Sequence, residues 1–405
     1  MSSRRILVVS EIFYPEGGGA ELATYLILKI LCKAGFDVTI ITGTRRPAII
    51  NGAKVYRTDL LGSWNRIKRF MNIFLLAKQC WFIKLFKSHN ILYIPLLAYP
   101  LIPLAKKYGL EVIVHLHNYV PVRYYGVKYY FENDKINILE ELKMSIFHEL
   151  YANNSMLRVV ALPISYILYQ ISKTWLEHAD TIICVSKRQA QIVRDQILGI
   201  ARKIRVIYNP PPELPSINKE LGNTRSIIYA GGRKYIKGYH VLLQAVGILN
   251  SALRNNNRRT NPVELILIGD GYESSRLPST LSTRNFRIRI LGRITRDQHI
   301  KLHKRTVALV FPSITEEPLP YVIIESMFLK TTPIASRIGG IPEILDDSPA
   351  SNFLSEPGNS EALANRLADL INMDSSELYE IGRKLREHAL QKFSGVHEDL
   401  IKVFS

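Results

Sequence analysis

VALVFPSITEEPLPYVIIES, from Val307 to Ser326, is the stretch on which the fold turns. Its first five residues are apolar without a break, as in a short strand covered on both faces. Pro318 and Pro320 have no amide hydrogen and hold the residue before each out of the α region. Glu317 and Leu319 are therefore extended, and a helix can begin only near Pro320. A strand that passes through a polar turn into a helix is one βα unit, and repeating it builds a parallel sheet.

The same unit recurs along the chain. In the first half the strand-like runs are ILVVS (6–10), VTIIT (38–42), ILYI (91–94), VIVHLH (112–117), TIICVS (181–186) and RVIY (205–208). In the second half they are SIIYA (226–230), ELILIG (264–269), IRIL (288–291), VALVF (307–311) and PIAS (333–336). Between the halves, NPPPELPSINKELGN (209–223) gathers prolines and the pattern lapses, which marks a boundary. At 405 residues the chain is too long for one ordinary core. The expected architecture is α/β, with two doubly wound Rossmann-like domains facing across a cleft and ligands at the carboxyl ends of the strands. The domains are placed at 1–208 and 224–387, with 388–405 returning as a helix to the first. Residues 119–175, rich in Tyr and helical patterns, read as an insertion in the first domain.

Composition narrows the function classes. The hydrophobic fraction of 47% and charged fraction of 22% are those of a globular protein. Cys32, Cys80 and Cys184 lie far apart in apolar segments, so neither a zinc cage nor a disulfide framework is indicated. No secretory leader is visible, and the longest uncharged apolar run, 91–105, falls short of the ~18 residues that span a bilayer. The expected location is the cytoplasm. The net charge of +18 is uneven: residues 1–205 carry 28 Lys and Arg against 14 Asp and Glu, a surplus of 14. Such a field fits an anionic membrane surface, nucleic acid, or merely a solvated basic surface.

Several segments could carry chemistry. GGGAE (17–21) opens an amphipathic helix, so Gly18 and Gly19 let a ligand approach backbone amides at a helix N-terminus, although taken alone they read more readily as a structural turn. GGRKYIKG (231–238) puts Arg233, Lys234 and Lys237 past a strand end, where cations suit phosphate oxygens. GDGYE (269–273) reads as a strand end. Glu317 on its loop and Glu325 on the following helix can accept hydrogen bonds from sugar hydroxyls. No Asp-x-Asp triplet supplies ligands for a divalent ion.

In order and spacing these segments resemble the retaining glycosyltransferases of the GT-B fold, the family 4 group (glycosyl transferases group 1). The resemblance rests on YPEGGGAE, VHLHN, ADTIICVS, KIRVIYNP, YAGGRKYIKG, LILIGDG, LGRIT, FPSITEEPLPYVIIES and IASRIGGIPEIL, with the Glu-x7-Glu of Glu317 and Glu325 the most specific element. It implies a metal-independent hexosyltransferase without a cofactor, whose second domain binds a nucleotide-sugar and whose first binds the acceptor. Arg233 and Lys237 would hold the donor diphosphate, Glu325 the ribose and Glu317 a sugar hydroxyl. Leu319 and Tyr321 would complete the donor site, with Gly18 and Gly19 on the diphosphate and His117 near the anomeric centre. By position alone, His117 reads more readily as a structural group. Pro320 stands where the family usually has glycine, and the interval from Arg233 to Lys237 is one residue short, which leaves Lys234 as a substitute.

The basic first half, on this reading, meets a sugar or lipid-linked acceptor and a membrane surface, placing the enzyme peripherally on the inner face. Nucleic acid is not an expected partner. WNRIKRFMNIFLLAKQCWFIKLFK (64–87) carries six aromatic residues and six cations that suit an interface, yet its cations fall on several sides, so a buried helix fits as well. The alternatives are a nucleotide-sugar epimerase of the same fold and a non-enzymatic basic binder of membrane or nucleic acid.

Overall fold

The computed structural model describes residues 4–62, 66–222, 225–255, 263–272 and 286–405. The chain forms two compact units. The first comprises Met1–Lys128, Glu132–Pro210 and Gly395–Ser405; the second comprises Tyr129–Phe131 and Pro211–Ser394.

The first unit is built on a parallel sheet of β1 (Arg5–Ser10), β2 (Asp37–Thr42), β3 (Ala53–Arg57), β4 (Ile91–Ile94), β5 (Glu111–Leu116), β6 (Thr181–Cys184) and β7 (Ile204–Val206). Their order is β3-β2-β1-β4-β5-β6-β7, with Val8 paired to Ile40 on one side and Tyr93 on the other. Ile6 through Val9 are fully buried, as an apolar run with helices on both faces must be. The second sheet is also parallel: β8 (Ser226–Tyr229), β9 (Val263–Ile268), β10 (Phe286–Gly292), β11 (Thr306–Phe311), β12 (Thr332–Ser336) and β13 (Leu354–Ser355), in the order β10-β9-β8-β11-β12-β13.

Two strands, β3 and β13, were not legible as apolar runs. β3 is an edge strand, AKVYR, whose side chains are largely exposed, so no continuous apolar run was required of it. β13 is only two residues long. The segment at 64–87 forms two helices, Arg66–Ala77 and Cys80–Ser88, and its aromatic residues mostly turn inward. Phe82 and Phe86 are fully buried, and Phe70 and Phe74 pack on Trp175 at 5.8 Å between ring centroids. The interfacial reading of these aromatics therefore fails, except for Trp81 at 38% exposure; Trp64 lies outside the described residues.

The domain limits also shift. The proline-rich segment joins the second unit from Pro211, because the Lys219 ammonium donates to the carbonyls of His303 and Thr306 and to the Thr331 hydroxyl, at 2.6 to 2.7 Å. The domain start expected at 224 lies outside the described residues. The return to the first unit begins at Gly395 rather than at 388, since the helix Ser375–Lys392 runs on in the second unit.

The insertion contains the helices Ile138–Phe147, Met156–Val160 and Leu162–Leu176. A buried polar knot precedes them: Arg123 donates to Glu132 at 2.9 Å, and the Tyr125 hydroxyl donates to the same carboxylate oxygen at 2.6 Å. Arg123 is fully buried, and its charge is made tolerable by this partner together with the carbonyls of Val122, Asn133 and Asp134, to which it also donates.

The last helix, Val396–Phe404, is tied to the first unit by Phe404, which is fully buried and meets the Tyr93 ring edge-on at 5.1 Å. Replacing it with Ala (Phe404→Ala) should cost about 3–5 kcal/mol, the range for truncating a buried aromatic. Urea unfolding followed by tryptophan fluorescence checks this; a change under about 1 kcal/mol would mean the helix is not anchored there.

Candidate active site

In the second sheet the strand order reverses between β8 and β11, and a doubly wound sheet offers its ligand crevice at that switch point, beyond the carboxyl ends of the strands. Four loops gather there. After β8 come Gly231, Gly232 and Arg233, then a turn, Tyr235–Lys237, ended by Gly238 in the left-handed conformation, φ +70°. A side chain at Gly238 would put Cβ 1.7 Å from the Pro312 carbonyl oxygen, so only glycine lets this turn lie on the exit of β11. After β9, whose last residue Ile268 accepts the Gly232 amide at 3.0 Å, the loop 269–271 accepts the Arg233 amide at Asp270 at 2.8 Å. It is thus the support of the glycine turn, more than a strand end; Glu273 of the same motif lies outside the described residues.

Glu317 sits where the loops after β8, β11 and β12 meet. Its Oε1 accepts from the Lys237 ammonium at 2.7 Å and the Ser313 hydroxyl at 2.8 Å. Its carbonyl accepts the Gly340 amide at 2.8 Å, and a Cβ at Gly339, φ +63°, would fall 2.1 Å from that same oxygen. Backbone and carboxylate of Glu317 are therefore both fixed, and among the described residues Oε2 takes no hydrogen bond.

Glu325 lies in the helix Tyr321–Phe328, which Pro320 caps with extended geometry, φ −77° and ψ 121°. Its Oε1 is 3.0 Å from Arg296 Nη1 and its Oε2 is 3.7 Å from His299 Nδ1. Burial raises the Glu325 carboxyl above its usual range, against the pull of Arg296. Burial, with Arg296 adding to it, drives His299 down to about 4, so this imidazole is neutral at pH 7. Arg296 Nη2 is buried without a hydrogen-bond partner, an N–H donor held beside a carboxylate. The group can therefore both accept from hydroxyls and donate to oxygens.

Arg233 and Lys234 are exposed, while Lys237 is committed to Glu317 and lies over the Phe311 ring at 5.4 Å. Leu319 and Tyr321, beside the helix start, are buried at 5% and 7% exposure. The fold thus brings Arg233, Lys237, Glu317, Leu319, Tyr321 and Glu325 to the loops and helix start at one switch point. Sequence reasoning missed Arg296, His299 and Ser313. A faint signal existed for the first two, in the Thr295–Gln298 capping box that fixes their helix.

Gly18, Gly19 and His117 belong to the first unit. Gly18 caps the helix Gly19–Lys33, and its amide already donates to the Glu21 carboxylate at 2.6 Å, so this turn closes on itself. His117 follows β5 and stacks on His115 at 4.2 Å between centroids. Neither of its ring nitrogens has a partner, and burial pushes it down to about 3. It is a neutral, unsatisfied imidazole at a strand end. His115, by contrast, is tied through Nδ1 to the Tyr93 hydroxyl at 2.9 Å.

His299 gives the second unit a pH dependence of defined sign. Its folded pKa of about 4 lies below the 6.5 of a free histidine, so its contribution is complete above pH 6.5 and is lost as pH falls through about 4. The size is up to about 3 kcal/mol. Glu325, raised, acts in the opposite sense. In His299→Gln the loss of stability between pH 6.5 and 4, read from urea melts, should shrink; an unchanged slope would show that His299 is not the group titrating.

This chain is 27% identical over 201 residues to the uncharacterized glycosyltransferase MJ1178 of Methanocaldococcus jannaschii, a match covering 48% of this chain and 50% of that protein. Over 178 residues it is 27% identical to the lipopolysaccharide 1,2-N-acetylglucosaminetransferase of Salmonella typhimurium, covering 42% of this chain and 44% of that protein. The chain thus spans about half the length of these curated relatives. The crystal structure of Anabaena HepE in complex with UDP-glucose matches with a TM-score of 0.65 over 98% of each chain, at 16% identity, a likeness of fold alone. Residues 17–210 match Glycosyltransferase Family 4 and residues 212–389 match Glycosyl transferases group 1, and with both domains present in that order the chain belongs to the glycosyltransferases of the GT-B fold.

Proposed function

We propose that the protein transfers a hexosyl group from a nucleoside-diphosphate sugar to an acceptor hydroxyl, with retention of configuration and without a metal ion. The observation that carries this is the pair of buried acids, Glu317 and Glu325, each already matched with a cation at the β8/β11 switch point. Glu325 takes the ribose hydroxyls, with Arg296 sharing the carboxylate. Arg233, Lys237 and Lys234 face the diphosphate. Glu317, fixed by Ser313 and Gly340, accepts from a sugar hydroxyl with Oε2, and Leu319 and Tyr321 shape the remaining wall. Pro320 offers no amide, so the helix presents its N-H groups only from Tyr321 onward.

In the transfer, the bond between the anomeric carbon and the phosphate oxygen breaks while one to the acceptor oxygen forms on the same face. The departing phosphate takes the acceptor proton. Negative charge grows on the diphosphate, and fixed cations in a partly buried site stabilise it without reorganising. Gly18 and Gly19 are assigned to the diphosphate, and His117, neutral and unpartnered, to the reacting sugar.

A lipid-linked or membrane-proximal acceptor, with an anionic membrane as a further partner, is supported by the insertion. Of the 22 large apolar side chains exposed among the described residues, ten lie within 138–171, including Leu157 at 84% and Val160 at 77%. So dense an exposed apolar face calls for a non-aqueous cover. The surplus of 14 cations in residues 1–205 is the charge that an anionic bilayer would attract. Among the described residues no helix is long and apolar enough to cross a membrane, so contact would be with its surface.

Thermal-shift measurements with UDP-, GDP- and ADP-sugars should find at least one donor that stabilises the chain; stabilisation by none would count heavily against the transferase. Glu325→Gln should weaken that donor's binding about 10- to 100-fold in calorimetry, the worth of a charge-assisted hydrogen bond. Unchanged affinity would remove the ribose assignment. Flotation with anionic vesicles at low salt should carry the wild type and not Leu157→Asp/Val160→Asp, and failure of the wild type to float would remove the membrane part.

A further inference from the structure

The first sheet has its own switch point, between β1 and β4, and a cavity of about 90 Å³ opens there. Glu11, directly after β1, Leu97 and Tyr99, after β4, and Val120, after β5, form its floor. Its roof is made by Ile67, Phe70 and Ile73 of the helix Arg66–Ala77 and by Ser165, Leu168, Tyr169 and Ser172 of the helix Leu162–Leu176. The walls are mostly apolar. An apolar cavity of about 150 Å³ stays dry and takes benzene, so one of this size takes a short run of hydrocarbon rather than a sugar ring.

Two features say which hydrocarbon. The helix Leu162–Leu176 is apolar on both sides: Leu168 and Tyr169, with Ser165 and Ser172, line the cavity, while Ile164, Ile167 and Ile171 face outward at 60%, 59% and 38% exposure. A helix covering a core from water turns its isoleucines inward. Here apolar side chains stand on both the outer side and the cavity side of the helix. The second feature is Glu11, fully buried in the cavity wall, whose carboxylate accepts the Leu97 amide at 3.2 Å. Two charges act on it, Arg69, which also lines the cavity, and Glu21 in the opposite sense. A carboxyl and a guanidinium in an apolar pocket mark a polar end for an amphiphile, the guanidinium suiting a phosphate.

We propose that this cavity holds the first few carbons of a lipid-linked acceptor, its phosphate at Arg69 and its remaining chain running out along the isoleucine face. The assignment rests on the lipid-linked reading given above and places that acceptor's hydrocarbon at the switch point of the first unit.

Calorimetry with dodecyl phosphate below its micellar concentration tests it. The wild type should bind saturably, and Ser172→Phe and Leu168→Trp, which fill the space, should each bind at least tenfold more weakly while melting at the wild-type temperature. Should either fail to fold, Val120→Phe fills the same cavity from the floor. Glucose 1-phosphate, which lacks the chain, should not compete. Short-chain phosphatidic acid separates a carrier lipid from a membrane phospholipid: if it binds as tightly as dodecyl phosphate and displaces it, the site belongs to bulk lipid and the acceptor assignment falls. No binding by the wild type, or equal binding by the filled variants, overturns the proposal. A chain stabilised by a donor sugar that ignores dodecyl phosphate keeps the transferase and loses this site; one that binds dodecyl phosphate and no donor does the reverse.

Discussion

Glu317 is gripped from two directions. The Lys237 ammonium and Ser313 hydroxyl hold its carboxylate, and the Gly340 amide holds its carbonyl while Gly339 leaves room for no side chain. Those groups come from the loops after β8, β11 and β12, so one residue fixes the mutual position of three strand ends. The proline pair around Leu319 then sets where the following helix starts, and with it where Glu325 stands. Altering the contact at Glu317 would disturb the whole crevice rather than one hydrogen bond.

The acids are matched with cations before any ligand is considered. A buried carboxylate alone is costly, and pairing with Lys237 or Arg296 removes much of that cost. Such a pair can also exchange partners without exposing a naked charge. A phosphate can share Lys237 and a hydroxyl can share Glu317, each gaining a contact as the internal one loosens. The neutral His299 adds bulk and a hydrogen-bonding nitrogen without adding charge.

Much of this was legible in the sequence. Buried parallel strands must be apolar throughout, so β1, β2, β4, β5, β8, β9 and β11 announced themselves, and proline geometry put the helix start near Pro320, one residue before the observed Tyr321. β3 did not, because an edge strand has little to bury. Arg296 and His299 are brought to Glu325 by tertiary packing across β11, which no local pattern encodes. The aromatics of 66–88 left two readings open because an aromatic residue beside a cation suits a core as well as an interface; the depth of Phe82 and Phe86 decides between them. Glu11 passed unnoticed for a related reason, since one acid after a strand looks like any loop residue until the cavity beside it is seen.

The outward isoleucines of the helix Leu162–Leu176 bear on how the molecule is handled. Ile164, Ile167 and Ile171, and Leu157 and Val160 earlier in the insertion, are apolar side chains exposed to water. In detergent-free buffer the nearest cover for them is the same side chains on another copy. Particle size, hydrodynamic radius and yield measured under those conditions then report colloidal self-association, and they should move with detergent or lipid in the buffer while the two cores stay unchanged.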